Sequence, residues 1–146
     1  MIDQKRRDLL ELLGPVYRGL RRAEERCAKD AGLSMWQYAI LSIASQHEGL
    51  SQVQIADRLG YSKNRIINDL DFLQGRGLAE RRTGTDRRRY SIHVTPTGRA
   101  TVAEVREAVW SAEDDLLATS REPLQSLLEH AVAQPTRSGD SNVNED

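Results

Sequence analysis

The stretch that decides the fold runs from Leu50 to Val94: LSQVQIADRLGYSKNRIINDLDFLQGRGLAERRTGTDRRRYSIHV. It opens with a short helix signal, Gln52 to Leu59, headed by Ser51, whose hydroxyl is placed to accept from an orphan N–H of the first turn. Gly60 follows as the turn residue, because glycine enters left-handed backbone at little steric cost. Ser62 is placed to cap a second helix, Lys63 to about Arg76, and Gly77 ends it. The spacing Ala56–Gly60–Ile66 sets a small residue where two helices touch, a glycine in the turn, and an aliphatic on the second helix facing the first. That is a helix-turn-helix. Ile55, Leu59, Ile66, Leu70 and Leu73 form its shared core. Ser62, Lys63, Asn64, Arg65 and Asn68 are left to point outward near the start of the second helix. A recognition helix presents side chains to base edges in a major groove from that position.

Two strands follow, Leu78 to Arg82 and Arg89 to Val94, joined across Thr83-Gly84-Thr85-Asp86-Arg87-Arg88. Leu78, Tyr90, Ile92 and Val94 carry apolar surface, while Arg81, Arg82, Arg87, Arg88 and Arg89 crowd one end. A helix-turn-helix followed directly by such a hairpin is a winged helix. From Tyr61 to Arg99 there are 9 Lys+Arg against 4 Asp+Glu, a net +5; the whole chain is 21 − 22 = −1, so the rest sums to −6. Positive charge gathered on one module is the footprint of nucleic-acid binding. Arg81, Arg82, Arg87 and Arg89 suit phosphates, and Lys63, Asn64, Arg65 and Asn68 suit groove edges. Singly each arginine reads as a solvated charge, but five on one hairpin end repel one another unless an anion is present. Arg88 is the strongest candidate among them, because a narrow minor groove draws arginine in.

The run from Leu50 to Ala100 resembles the core of the MarR (multiple antibiotic resistance regulator) family of winged helix-turn-helix transcriptional regulators. The GLAERR strand, Asp86-x-Arg88 at the wing tip and the Thr95-Pro-Thr-Gly98 step carry the resemblance most specifically, and helix order extends it over about residues 5 to 132. It implies a two-fold dimer on double-stranded DNA, with Arg88 of each wing in a minor groove and Asp86 bracing that arginine. It also implies a ligand pocket walled by the helix after Gly32; Tyr17, Trp36, Tyr38 and Trp110 are the large side chains able to line it for an aromatic or phenolic effector. Core filling is the alternative for each of these four. Arg65 stands where members often carry a small hydroxyl residue, and Asn68 where they often carry arginine. The resemblance therefore carries over the docking mode and no operator sequence.

At 146 residues the chain has about one domain's length, and with 29% charged and 5% aromatic residues its core is modest. No run approaches a membrane span, and MIDQKRRDLL has no apolar signal-peptide core. A single cysteine excludes an internal disulfide framework. These features predict a soluble, cytoplasmic protein.

Along the chain, Asp3 to Lys29 reads as a long helix with a heptad-like seam of Leu9, Leu13, Val16, Leu20, Ala23 and Cys27. Gly14-Pro15 predicts a kink or a fresh start within it. Ser34 to Gln46 is the next helix, with Trp36, Ile40, Ile43 and Ala44 facing the core and Tyr38 and Leu41 partly on a neighbouring face. Thr97 to Ala118 carries a second seam of Val102, Val105, Val109, Ala112 and Leu116. Ser120 is placed to cap a last helix to about Ala133, striped by Leu124, Leu127, Leu128 and Ala131. The seams predict an intersubunit bundle, with packing on the chain's own core as the alternative. The expected organisation is mainly α with a small β-hairpin wing (α+β): dimerisation helices at 1–30 and 97–133, a winged helix-turn-helix at 31–96, and a disordered tail at 134–146.

Little else suggests chemistry. Cys27 sits at a helix C-terminus, where the dipole gives a thiolate no help, and reads as a packing residue rather than a redox sensor. His47, His93 and His130 lack metal-ligand spacing, and no nucleophile motif or phosphate loop appears, so neither a metal, a cofactor nor an enzyme is expected. Glu24-Glu25 and Asp114-Asp115 read as solvated pairs. The reading is a homodimeric, sequence-specific DNA-binding transcriptional regulator, a repressor released by a small ligand. A non-specific architectural DNA binder and a winged-helix protein-interaction module are the alternatives.

Overall fold

Two Ser-x-x-Gln sequences fix the first helix starts. In a computed structural model, which describes residues 6–84 and 90–134, Ser34 and Ser51 each accept from the backbone N–H three residues on, while Gln37 and Gln54 accept in return from the serine N–H. These reciprocal caps satisfy two orphan donors apiece. They open α2 (Met35–Gln46) and α3 (Gln52–Leu59); α1 (Leu9–Asp30) precedes them and α4 (Lys63–Gly75) follows the Gly60 turn. Ser62 heads α4 without a side-chain cap bond. Its third following residue is Arg65, a donor-only side chain that cannot complete the reciprocal pair.

Gly77, at φ 69, ends α4 by letting the chain reverse: its N–H bonds to Gln74 O at 3.0 Å and that of Leu78 to Leu73 O at 2.9 Å. The chain then enters β1 (Ala79–Thr83), which pairs antiparallel with β2 (Tyr90–Val94) from Ala79↔Val94 to Thr83↔Tyr90. Leu50 O accepts from Ile92 N at 2.8 Å, which ties the approach to α3 onto the hairpin. Thr95 caps α5 (Pro96–Leu117), accepting from Gly98 N at 3.0 Å and donating to Gly77 O at 2.6 Å. A Cβ at Gly98 would lie 2.0 Å from the Leu78 carbonyl oxygen, so only glycine allows this close crossing. Ala118–Ser120 form a 3₁₀ turn into α6 (Arg121–Ala133).

The core lies under the helix-turn-helix and extends into the foot of the terminal helices. Ile55, Ile66, Leu70 and Leu73 are buried as expected, and Leu59 is half-buried against them. Each full burial of such a side chain stabilises by roughly 1.5–3 kcal/mol. The helix α2 is central, packing on α1, α3, α4, α5 and β2, so it is buried on more than one face. That rotates its expected core: Tyr38, Ile40, Leu41 and Ala44 are buried, while Trp36 and Ile43 are half-buried.

Other expectations are corrected. α1 starts at Leu9 and runs unbroken through Pro15, so there is no fresh helix there. The carbonyl that Pro15 leaves without its usual donor belongs to exposed Glu11, where water reaches it. Ser120 makes no cap bond, because the third residue on is Pro123, which has no N–H to offer. The α5 seam is not left uncovered: Val102, Val105 and Val109 are buried in the chain's own core, against which α1 packs. Exposure returns at the far ends, at Leu9, Leu13 and Tyr17 on α1, Leu116 on α5, and Leu127 and Leu128 on α6. The hairpin tip at 85–89 and the expected tail beyond Gln134 lie outside the described residues. No helix among the described residues is long and apolar enough to cross a membrane.

Candidate nucleic-acid interface

Burying Ile66, Leu70 and Leu73 turns the opposite side of α4 to solvent, so Lys63, Asn64, Arg65 and Asn68 are all exposed, as is Ser62 before them. Lys63 Nζ lies 3.7 Å from the Asp57 carboxylate of α3. Ile67 is also exposed, at 42%, which the sequence pattern does not announce because apolar residues of a helix usually face the core.

The wing is held against this helix by Arg81. Its guanidinium donates to Asp71 Oδ1 at 2.6 Å and to the Ile67 carbonyl at 3.1 Å, and its side chain is only 18% exposed. The geometry makes Arg81 a brace between β1 and α4, where the sequence placed it among phosphate ligands. Arg82 points away, exposed and paired along its own strand with Glu80 at 3.3 Å. Asp86, Arg87, Arg88 and Arg89 lie outside the described residues.

A second brace holds the other flank of α4. Trp36 stacks on Tyr61, with ring centroids 4.3 Å apart and planes 16° from parallel. The Tyr61 hydroxyl donates to Asp69 Oδ2 at 2.6 Å, and Gln37 Nε2 donates to Asp69 Oδ1 at 3.1 Å. Desolvation, then the Asp69 carboxylate, pushes the Tyr61 phenol up to about 12, so it stays a proton donor at neutral pH. No local sequence pattern announces this network, whose members come from α2, the turn and α4.

Of the four aromatic residues expected around a ligand pocket, Trp110 alone lines the cavity found in the described residues. Trp36 belongs to the stack just described; Tyr17 is 61% exposed on α1; Tyr38 is buried beneath α1 and α5. Trp110 lines a cavity of about 680 Å³ between α1, α5 and α6, with Leu20, Arg121, Leu124 and Leu128. Arg121 in that cavity is paired with Glu113 at 3.1 Å. Arg106 of α5 donates to Ser42 Oγ at 2.9 Å, and the proton of the nearby Tyr38 phenol is held more tightly, chiefly because of burial. Glu24, expected in solvent, is instead half-buried and raised above the usual carboxylate value by desolvation and then by Glu113. Cys27 is half-buried and packs against the main core. No metal-holding cluster is present among the described residues.

Residues 31–89 match the MarR family by sequence profile. A putative transcriptional regulatory protein for the hcr operon of Thauera aromatica is 33% identical over 88 residues, which cover 60% of this chain and 53% of that protein. The match thus spans about half of that relative's length. Among solved structures, the transcriptional repressor CouR bound to a 23-mer DNA duplex superposes with a TM-score of 0.73 at 29% identity, covering 86% of this chain and 90% of that one. CouR from Rhodococcus jostii RHA1 bound to p-coumaroyl-CoA superposes with a TM-score of 0.75 at 23% identity, covering 86% and 88%.

Proposed function

We propose that this chain, whose residues 31–89 match the MarR family, is a homodimeric, sequence-specific DNA-binding transcriptional regulator. The observation that carries this reading is the exposed polar face of α4, held by two braces beside a hairpin rich in arginine. The likeness to a repressor solved on a DNA duplex supports it. In this reading α4 enters the major groove, and Arg88, braced by Asp86, enters the adjacent minor groove. Arg82, Arg87 and Arg89 meet phosphates.

The dimer joins residues 1–30 and 97–133 of two copies. Leu9, Leu10, Leu13 and Tyr17 on α1 and Leu127, Leu128 and Val132 on α6 are exposed, and apolar surface gathered this way marks an association face. Two-fold symmetry then sets the recognition helices one DNA turn apart, ~10 bp centre to centre. The chain acts as a repressor released by a small ligand, and an aromatic acyl compound is the first class to try, given that CouR is solved with p-coumaroyl-CoA. The cavity beside Trp110 and the surroundings of buried Tyr38, near Arg106, are the places to look for it.

Titration of a promoter-length duplex at several salt concentrations tests the reading. With about four phosphate contacts per half, log K falls with a slope near −7 against log salt. Arg88→Ala weakens binding at physiological salt; unchanged affinity in that variant removes the wing from the interface.

A further inference from the structure

The exposed side of α4 carries a chemical pattern that specifies a class of base pair. Buried Ile66, Leu70 and Leu73 define the core side of the helix. At 3.6 residues per turn, Asn64 and Asn68 fall within about 30° of the direction opposite it, on the crest that penetrates a groove most deeply. Ile67 lies on the flank nearer the wing, where its carbonyl accepts from Arg81 and its own side chain remains 42% exposed. Arg65 stands about 75° to the other side of the crest, and Lys63, at the helix start, lies beside Asp57 of α3.

A side-chain amide offers one donor and one acceptor side by side. That pair matches the N7 acceptor and N6 donor of adenine, whereas guanine offers two acceptors and is met by arginine or lysine. An exposed isoleucine has no hydrogen bond to give, and the one apolar group on the major-groove edge is the thymine methyl. We infer that α4 reads A·T pairs, with Asn64 and Asn68 each on an adenine and Ile67 against a thymine methyl. Arg81 serves this by fixing the backbone at Ile67, so the brace between wing and helix also aims the apolar reader. The inference rests on the proposal that the chain binds DNA sequence-specifically, and deepens it to the class of half-site.

The test uses the full chain and duplexes recovered with it from a random pool. Two inverted half-sites are expected, each with A·T pairs at neighbouring positions in the major groove. Deoxyuridine in place of the contacted thymines deletes only the methyl group; it weakens the parent about fourfold, the worth of one methyl removed from water, and leaves Ile67→Ala indifferent. In place of the contacted adenines, 7-deazaadenine weakens the parent about tenfold and leaves Asn64→Ala or Asn68→Ala indifferent at the corresponding base. All three side chains are exposed, so the variants keep the parent's melting temperature. G·C pairs at those positions, or a parent indifferent to both base analogues, overturn the A·T assignment and leave DNA binding standing. Recovery of no duplex overturns DNA binding and this assignment with it.

Discussion

Replacing Arg81 by alanine separates bracing from phosphate binding. The side chain makes a bond to the Ile67 carbonyl at 3.1 Å and one to Asp71 at 2.6 Å. A charged donor on a backbone oxygen contributes about 1.5–3 kcal/mol, and Arg81 at 18% exposure lies toward the protected end of that situation. Asp71 is 61% exposed, so its pairing is screened and adds at most about 1 kcal/mol. Removing the side chain therefore costs about 2 kcal/mol, which for a chain of this length lowers Tm by roughly 7 °C. The salt dependence of DNA binding stays as steep as in the parent, because the deleted charge faces α4 rather than a phosphate. Arg82→Ala behaves in the opposite way: Tm holds, and the slope against log salt flattens by about 0.9 for each phosphate that Arg82 neutralises in the parent. Circular dichroism melts and binding titrations at four salt concentrations read both quantities. An Arg81→Ala protein with parental Tm and a slope flattened like that of Arg82→Ala would refute the brace.

Three further outcomes are expected. Gly98→Ala drives a methyl group against the Leu78 carbonyl, 2.0 Å from its Cβ, and strains the Thr95 cap beside it; urea denaturation should show a loss of about 3 kcal/mol or more. In Tyr61→Phe the tyrosine that ionises at about pH 12 disappears from an absorbance titration, and DNA affinity falls several-fold as one flank of α4 loosens; parental affinity would leave the Tyr61–Asp69 bond without a part in binding. Glu24 holds its proton more tightly folded than unfolded, because burial and Glu113 raise it from 4.5. The stability this links is present below about pH 4.5 and is lost as pH rises through the folded value. Glu24→Gln should accordingly melt above the parent at pH 7, with the gap closing by pH 4.

The helix-turn-helix is legible because its determinants are local. Ser51, Gly60 and Gly77 mark its boundaries within a few residues, and Ile55, Ile66, Leu70 and Leu73 carry the helical period. What escapes is whatever depends on distant partners. Arg81 looks like its four arginine neighbours until Asp71 and the Ile67 carbonyl are brought beside it. Trp36 reads as a core or pocket residue because its partner, Tyr61, belongs to a different element. Glu24 reads as surface until α5 brings Glu113 alongside. The seams of α1 and α5 mislead for another reason. A heptad pattern is the same whether a helix packs on its own chain or on a second copy, and here Val102, Val105 and Val109 face inward while Leu9, Leu116 and Leu127 do not. Ser62 and Ser120 look like caps by residue type alone, yet neither side chain bonds to its helix; after Ser120 the third residue on is Pro123, which has no N–H to give.

The most direct measurement is the affinity for a selected duplex relative to a random duplex of equal length at physiological salt, with the stoichiometry taken on the same samples. Two chains per duplex and a ratio of about a thousandfold or more are predicted for a dimeric sequence-specific regulator. A ratio within about tenfold, or one chain per site, would contradict it.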